Sequence, residues 1–442
     1  MMENKGRSVS NSDMDAALLA SRQRFIDANP KSLQRHQEAS ASLPGGNTRA
    51  VLYYPPFPLT FTGGEGCRVR TLDGQTLIDM VSEYSAGVYG HTDPVIAEAM
   101  KAAVDSGLAL GGPNTVEAQY AALLVDRFPA YERVRFCNSG TEANIMALSM
   151  ARAITGRSNI IAMTAGYHGG VLTYVGGGSV LNLPFPVSFA TYNDIEGTRA
   201  MIRAAGSDLA AVILEPMLGG GGCIPANPEF MQMIREETRR IDALMILDEV
   251  MTSRLDYRAL HGADGMTPDL VTMGKYLGGG ASFGCFGGRA DLMDWFDPSR
   301  PGAFSHGGTF NNNILSMSAG MAGMTKVLTE EACKAFNDRG DALREQMCET
   351  LARHRIAGTV SGRGSLMALH FVLEPVTTPA TLDSGNQRHL GLFHVEMLLR
   401  GFYVAPRGMI ALSLPFGAAE AAEFIAAFDD FLSQNHQYLP TL

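Results

Sequence analysis

Cysteine is scarce in this chain. Its 442 residues hold six, Cys67, Cys137, Cys223, Cys285, Cys333 and Cys348, with no C-x-x-C spacing and no paired histidines nearby. That pattern excludes a disulfide framework and a zinc site, so no metal is expected and the thiols read as reduced and mostly buried. Long apolar runs are missing too, and none reaches the roughly 20 residues that a membrane-crossing helix needs. The opening segment "MMENKGRSVSNSDMD" is polar and has no apolar h-region, so no secretory signal is read and a cytoplasmic location is expected. Positive charge is in deficit, 35 Lys+Arg against 45 Asp+Glu, for a net charge of -10. Nucleic acid needs clustered cations that displace counterions, and is excluded as a partner. Also absent is a G-x-G-x-x-G after an early strand with an acid about 20 residues on, which removes a nicotinamide-dependent dehydrogenase.

What remains is the composition of a soluble globular protein, 46% apolar and 18% charged, long enough for a large α/β domain with a satellite. From about residue 115 to 290, short apolar runs ("RVRFC", "NIIAM", "LAAVIL", "LMIL", "DLVTM", "FGCFGG") alternate with helical stretches. Such alternation means crossover units and a mainly parallel central sheet with helices on both faces. Before this core, an amphipathic helix is expected over roughly 13–41, then a Pro/Gly-rich linker. After it come a long amphipathic helix from "EEACKAF", strand candidates "SLMALHFVL" and "MIALSLP", and a closing helix "AEAAEFIAAFDDFL". The expected division is 1–70 and 331–442 for the two parts of a smaller α+β domain, with 71–330 as the large domain.

In an open parallel sheet, ligands bind beyond the carboxyl ends of the strands. Asn138-Ser139-Gly140-Thr141 follows "RVRFC"; Tyr167 and His168 follow "NIIAM"; Glu215 follows "LAAVIL"; Asp248-Glu249 end the run "ALMIL"; Gly274-Lys275 and three glycines follow "DLVTM". Five successive strands thus bring polar groups to one edge. Ser139-Gly140-Thr141 opens directly into a helix. Alone it reads as an N-cap, but beside a lysine and an acid it becomes an anion cradle at the positive end of a helix. Lys275, just past a strand, reads as partly buried, where its amine loses a proton readily and forms a Schiff base. Burying a negative charge at the end of an apolar strand is expensive, and a cationic partner for Asp248 resolves that cost. Phosphate cradle, lysine and buried acid together specify pyridoxal 5'-phosphate (PLP).

"FCNSGTEANIMALSMAR", "YHGG", "LEPM", "LDEVMTSR", "TMGKYLGGGASFGCFGG" and "HGGTFNNN" resemble, in order and spacing, the class III aminotransferases of PLP fold type I. Within these, the sequence is similar to the glutamate-1-semialdehyde 2,1-aminomutase-like branch. The resemblance implies Lys275 as the Schiff-base lysine and Asp248 as the partner of the pyridine nitrogen. It places Val250 and Tyr167 on the two ring faces, His168 beside Tyr167, and Ser139, Gly140 and Thr141 on the phosphate. Glu215 is implied near the phenolic edge. Thr309 is implied to reach the phosphate of a neighbouring subunit, hence a homodimer with a shared site. The implied chemistry is removal of a proton from the amine-bearing carbon by Lys275, followed by the reverse path with a second substrate, a ping-pong scheme.

Arg49 in "GGNTRAVLYY" and Arg407 in "VAPRGMI" stand out as bidentate partners for substrate carboxylates. Together with "EYSAGVYGH", these segments look most like the β-amino-acid (β-phenylalanine-type) aminotransferases. That likeness implies Arg49 for the donor's carboxylate, Arg407 for that of a 2-oxo acid acceptor, and Tyr84 and Tyr89 lining the pocket. The competing readings are the aminomutase itself and a broad amine:pyruvate transaminase. A PLP-binding regulator would carry a basic DNA-binding module, and none is evident.

Overall fold

Pro30 splits the first expected element. In the computed structural model, which describes residues 11–442 apart from 109 and 383, the helix anticipated over 13–41 is two helices, α1 (Asn11–Ala28) and α2 (Pro30–Ser40). Proline has no N–H to continue a helix and disfavours helical geometry in the residue before it; Asn29 sits at φ −132° and ψ 51°. The first ten residues, where a secretory signal was sought, lie outside those described.

The antiparallel strands β1 (Phe61–Glu65), β2 (Arg68–Thr71) and β3 (Thr76–Asp79) follow, then α3 (Pro94–Ser106) and α4 (Thr115–Arg127). The core then runs β4 (Arg133–Cys137), α5 (Gly140–Thr155), β5 (Asn159–Met163), β6 (Val187–Ala190), α6 (Ile195–Ala205) and β7 (Leu209–Leu214). A hairpin of β8 (Met217–Leu218) and β9 (Ile224–Pro225) leads to α7 (Pro228–Arg240), β10 (Leu244–Asp248), α8 (Ala259–Ala263), β11 (Leu270–Gly274) and β12 (Gly284–Gly288). Next come α9 (Ala290–Met293), α10 (Ile314–Ala322) and α11 (Glu330–Arg353). The chain closes with β13 (Thr359–Arg363), β14 (Leu366–His370), α12 (Ser384–Leu399), β15 (Phe402–Tyr403), β16 (Met409–Ala411) and α13 (Ala418–Asn435).

The central sheet has seven strands in the order β4-β12-β11-β10-β7-β5-β6. Its pairs are parallel except those of β12, which runs antiparallel to both β11 and β4. From β11 to β12 the chain returns through residues 275–283 alone, too short for the crossover that a parallel neighbour needs. Every residue of β7, β10 and β11 is buried, which is why they read as unbroken apolar runs. β6 escaped the sequence reading because it is an edge strand with exposed positions, Phe189 among them.

β15 pairs in parallel with β3, so the small sheet joins both ends of the chain. The division expected at 70/71 falls inside β2. A hydrophobic cluster packs Val81 and Tyr84 with Met217, Cys223 and Leu255 and, from the C-terminal part of the chain, with Leu366, Ala405 and Met409. The candidate site lies against this cluster.

Candidate active site

Asp248 ends β10 and is 3% exposed. Its carboxylate accepts a hydrogen bond from Asn144 Nδ2 at 2.7 Å and from the Val250 N–H at 3.0 Å, and lies 2.8 Å from His168 Nδ1. Asn144 is pinned in turn, its Oδ1 accepting from Thr272 Oγ1 at 2.6 Å and its Nδ2 also reaching the His168 carbonyl at 3.0 Å. Burial alone would lower the pKa of His168, yet the hydrogen bond and charge of Asp248 outweigh it and the net shift is upward. His168, on the loop after β5 next to Tyr167, is thus a buried partner of Asp248. Asn144 was not foreseen; its only sequence signal is a position one turn into α5, facing the sheet.

The adjacent acid does a separate job. Glu249 accepts from the Leu260 and His261 N–H groups at 2.9 and 2.8 Å and from Thr252 Oγ1 at 3.0 Å, with His261 Nδ1 at 2.6 Å. Burial pushes its pKa up, but these partners together bring it below the ordinary value. So one carboxylate faces the site and its neighbour anchors α8.

At the start of α5, Ser139 Oγ accepts the Glu142 N–H at 3.1 Å, which makes Ser139 the N-cap. The Gly140 and Thr141 N–H groups keep no protein acceptor among the described residues and remain available to an anion. Gly140 must lack a side chain, because a Cβ there would lie 2.7 Å from both Val250 methyl groups. Gly169, at φ +129°, lets the loop after β5 close on Thr141, whose Oγ1 would be 2.3 Å from an added Cβ. Tyr167 presents a half-exposed ring, and its N–H donates to Glu215 Oε1 at 2.9 Å. Glu215 also accepts the Gly219 N–H at 2.9 Å, and burial leads the rise of its pKa to about 7.

Lys275 follows β11 in the left-handed region, φ 57°. Burial lowers the pKa of its amine to about 7; Arg407 and Arg254 act in the same direction, and Asp248 and Glu215 oppose them. Nζ donates to the Tyr84 carbonyl and to Ser85 Oγ, the latter at 2.9 Å. Those acceptors belong to an unusual turn in which Ser82, Glu83, Tyr84 and Ser85 all have positive φ (42°, 51°, 50° and 76°). Left-handed helical geometry costs about 1–2 kcal/mol per non-glycine residue. Asp79 offsets part of that cost by accepting the Val81 and Ser82 N–H groups, each at 2.9 Å.

The Tyr84 ring is flanked by two guanidiniums, with Arg49 Cζ 5.8 Å and Arg407 Cζ 5.4 Å from its centroid. Arg49 is ion-paired with Glu83, whereas Arg407 has no carboxylate partner among the described residues. Tyr89 is elsewhere: it is buried in the core with its ring 6.4 Å from that of Tyr276 and against Gly323, instead of lining the pocket. Its backbone comes after the left-handed turn, which redirects the chain, and periodicity cannot anticipate that. Thr309 is exposed; its loop meets β4's end through Asn311, whose Oδ1 accepts from Asn138 Nδ2 at 3.0 Å. Among the described residues no cluster of His, Cys, Asp and Glu is suited to a metal ion, and no helix is long and apolar enough to cross a membrane.

Residues 52–394 match the family described as Aminotransferase class-III. The chain is 44% identical over 429 residues to the β-phenylalanine transaminase of Variovorax paradoxus, covering 97% of this chain and 98% of that protein. The crystal structure of the β-phenylalanine aminotransferase from Variovorax paradoxus superposes with a TM-score of 0.95 over 97% of this chain and 99% of that one. A solved transaminase with PLP bound is 31% identical with a TM-score of 0.84, covering 92% and 98% of the two chains. The glutamate-1-semialdehyde 2,1-aminomutase of Bacillus subtilis is 35% identical over 394 residues, 85% of this chain and 91% of that protein.

Proposed function

This chain belongs to the class III aminotransferases, and from that premise we propose that it moves the amino group of an aromatic β-amino acid, such as 3-amino-3-phenylpropanoate, to a 2-oxo acid. Pyridoxal phosphate is the cofactor of this transaminase, and the residues present fit it. They are a lysine amine with a pKa of about 7, two unclaimed N–H groups at a helix start, a buried carboxylate and a buried His168 Nε2 without a partner. When bound, the cofactor supplies an aldehyde for the substrate nitrogen and a sink for the electron pair left as the carbon loses its proton.

The protein's share follows from its own groups. Lys275, poised near neutrality, would take the proton from the amine-bearing carbon and hand it on to the carbon that receives the amino group. Asp248, fixed by Asn144, His168 and the Val250 N–H, holds the ring nitrogen's proton. Ser139, Gly140 and Thr141 take the phosphate, Val250 and Tyr167 border the ring, and Glu215 serves its phenolic edge. Thr309 serves the site of a second copy in a homodimer. Supporting that assembly, the loop bearing Thr309 and exposed Phe310 is tied to the one bearing exposed Leu108 and Leu110, with Asn312 Nδ2 donating to the Gly112 carbonyl at 3.1 Å.

The observation that carries the donor assignment is the pair of guanidiniums on Tyr84, beside the acceptors of Lys275. A β-amino acid sets its carboxylate one carbon further from the reacting centre than a 2-oxo acid does, which calls for two clamps. Arg407 is ready for the acceptor; Arg49 exchanges Glu83 for the donor. Turnover of 3-amino-3-phenylpropanoate with 2-oxoglutarate or pyruvate is compared in wild type and Arg49→Ala. The expected result is a fall in donor kcat/KM of roughly 100-fold, the scale of a lost charge-assisted bidentate contact. Unchanged turnover defeats the assignment. Turnover of glutamate semialdehyde without any 2-oxo acid would favour the aminomutase, and efficient use of amines without a carboxylate would favour the broad transaminase.

A further inference from the structure

Four cations converge on the left-handed turn at 82–85. Lys275 reaches the Tyr84 carbonyl and Ser85 Oγ, Arg49 pairs with Glu83, Arg407 lies over the Tyr84 ring, and Arg254 Nη1 donates to the Ser85 carbonyl at 3.1 Å. The first three have roles in the chemistry above. Arg254 has none, although it is fully buried.

Its surroundings are unusual for a buried charge. No carboxylate lies within ion-pair distance of it among the described residues, a costly arrangement unless every donor is used. Besides Ser85, its fork reaches Ser365 Oγ at 3.2 Å and the Leu412 carbonyl, and its carbon end lies 5.1 Å from the Phe336 ring. Its backbone carbonyl is gripped from α11, by Asn337 Nδ2 at 3.1 Å. One planar cation therefore joins three segments: the large domain's 252–255 turn, the 82–85 turn that receives Lys275, and the terminal domain at 365 and 412.

We propose that Arg254 is a positioning residue of the amino-transfer site, holding the 82–85 turn against Lys275 and fastening that turn to the terminal domain. The proposal rests on Lys275 being the lysine that carries the cofactor. Two consequences separate this role from simple domain adhesion. The fork, through the Ser85 carbonyl, fixes the turn whose Tyr84 carbonyl and Ser85 Oγ accept from Lys275 Nζ. The charge also bears on the lysine, alongside Arg407 in the same sense, with Asp248 and Glu215 opposing and His168 behind Asp248. Burial lowers the Arg254 pKa to about 9, so the cation persists at neutral pH.

The test uses PLP-loaded enzyme and the variants Arg254→Met and Arg254→Lys. Removing the cation should raise the pH midpoint of the bound cofactor's visible absorbance by on the order of one unit. Arg254→Lys keeps the charge without the fork, and should hold the midpoint while kcat falls roughly 10- to 100-fold with less change in KM. Arg254→Met should show both effects. A lower unfolding temperature with wild-type midpoint and kcat would reduce Arg254 to a structural tie and overturn the proposal. If Arg254→Met does not fold, Arg254→Lys decides: wild-type kcat overturns it. The absorbance titration needs no substrate, so an error in the donor assignment leaves it intact, whereas a wild type that takes up no cofactor would sink the earlier reading instead.

Discussion

Asp248 and Asn144 act as a pair, and their neighbours set the cost of losing either. Replacing Asn144 by Ala leaves the Asp248 carboxylate, the His168 carbonyl and Thr272 Oγ1 each short of a partner inside a buried network. Unmet buried polar groups cost about 1–3 kcal/mol each, so Asn144→Ala should lose about 2–3 kcal/mol in urea unfolding, as one or two are re-solvated. Asp248→Ala should lose more, about 3–5 kcal/mol, because it strands a buried histidine whose proton affinity Asp248 sustains. A smaller loss in Asp248→Ala than in Asn144→Ala would contradict the network as described. Lys275 and Asp248 were legible in the sequence because each ends an apolar run. Asn144, Ser85 and Arg254 were not, since their partners lie far along the chain and only the topology brings them together.

Among the elements, the buried strands and the exposed edges explain what could be read. β7, β10 and β11 are buried on both faces and show as apolar runs, while β6, on the edge, carries no such mark. Pro30 did carry a mark, and its local geometry overrode the amphipathic pattern that ran through it. The start of α5 is the element on which the proposed phosphate cradle depends. Gly140→Ala would press a methyl group to 2.7 Å from Val250 Cγ1 and Cγ2. Overpacking of that kind costs about 1–3 kcal/mol, and here it is relieved by moving α5 or Val250, both of which are proposed to border the cofactor. The expected outcome is a lowered unfolding temperature together with faster loss of PLP on dialysis. A variant with reduced stability but wild-type retention would mean that the helix start does not hold the phosphate.

At the scale of the molecule, buried histidines couple the fit between segments to pH. His370 on β14 has Nε2 2.8 Å from Ser361 Oγ and 3.1 Å from the Gly222 carbonyl, tying the terminal sheet to the loop after β8. His394 on α12 has Nδ1 2.9 Å from the Val404 carbonyl and its ring 4.4 Å from that of Tyr54. Burial lowers the pKa of both to about 4 from 6.5. Because the folded value lies below the unfolded one, the unfolded chain binds more protons between these pH values. The stabilisation is whole above pH 6.5 and drains as pH falls toward 4. At about 1.4 kcal/mol per unit, each histidine contributes at most about 3 kcal/mol. Glu215, raised from 4.5 to about 7, works in the opposite sense, its contribution being whole below pH 4.5 and lost as pH rises to 7. His370, His394 and Glu215 together should therefore account for a net loss of roughly one histidine's worth, about 3 kcal/mol, between pH 6.5 and 4.5. His370→Gln and His394→Asn each keep a donor where the ring nitrogen sits and remove the titration. Either should flatten the acid limb of unfolding temperature against pH, and the double variant should flatten it further, because Glu215 and the raised His168 then oppose only His306, which burial lowers. An acid limb as steep in the double variant as in the wild type would remove these histidines from the account.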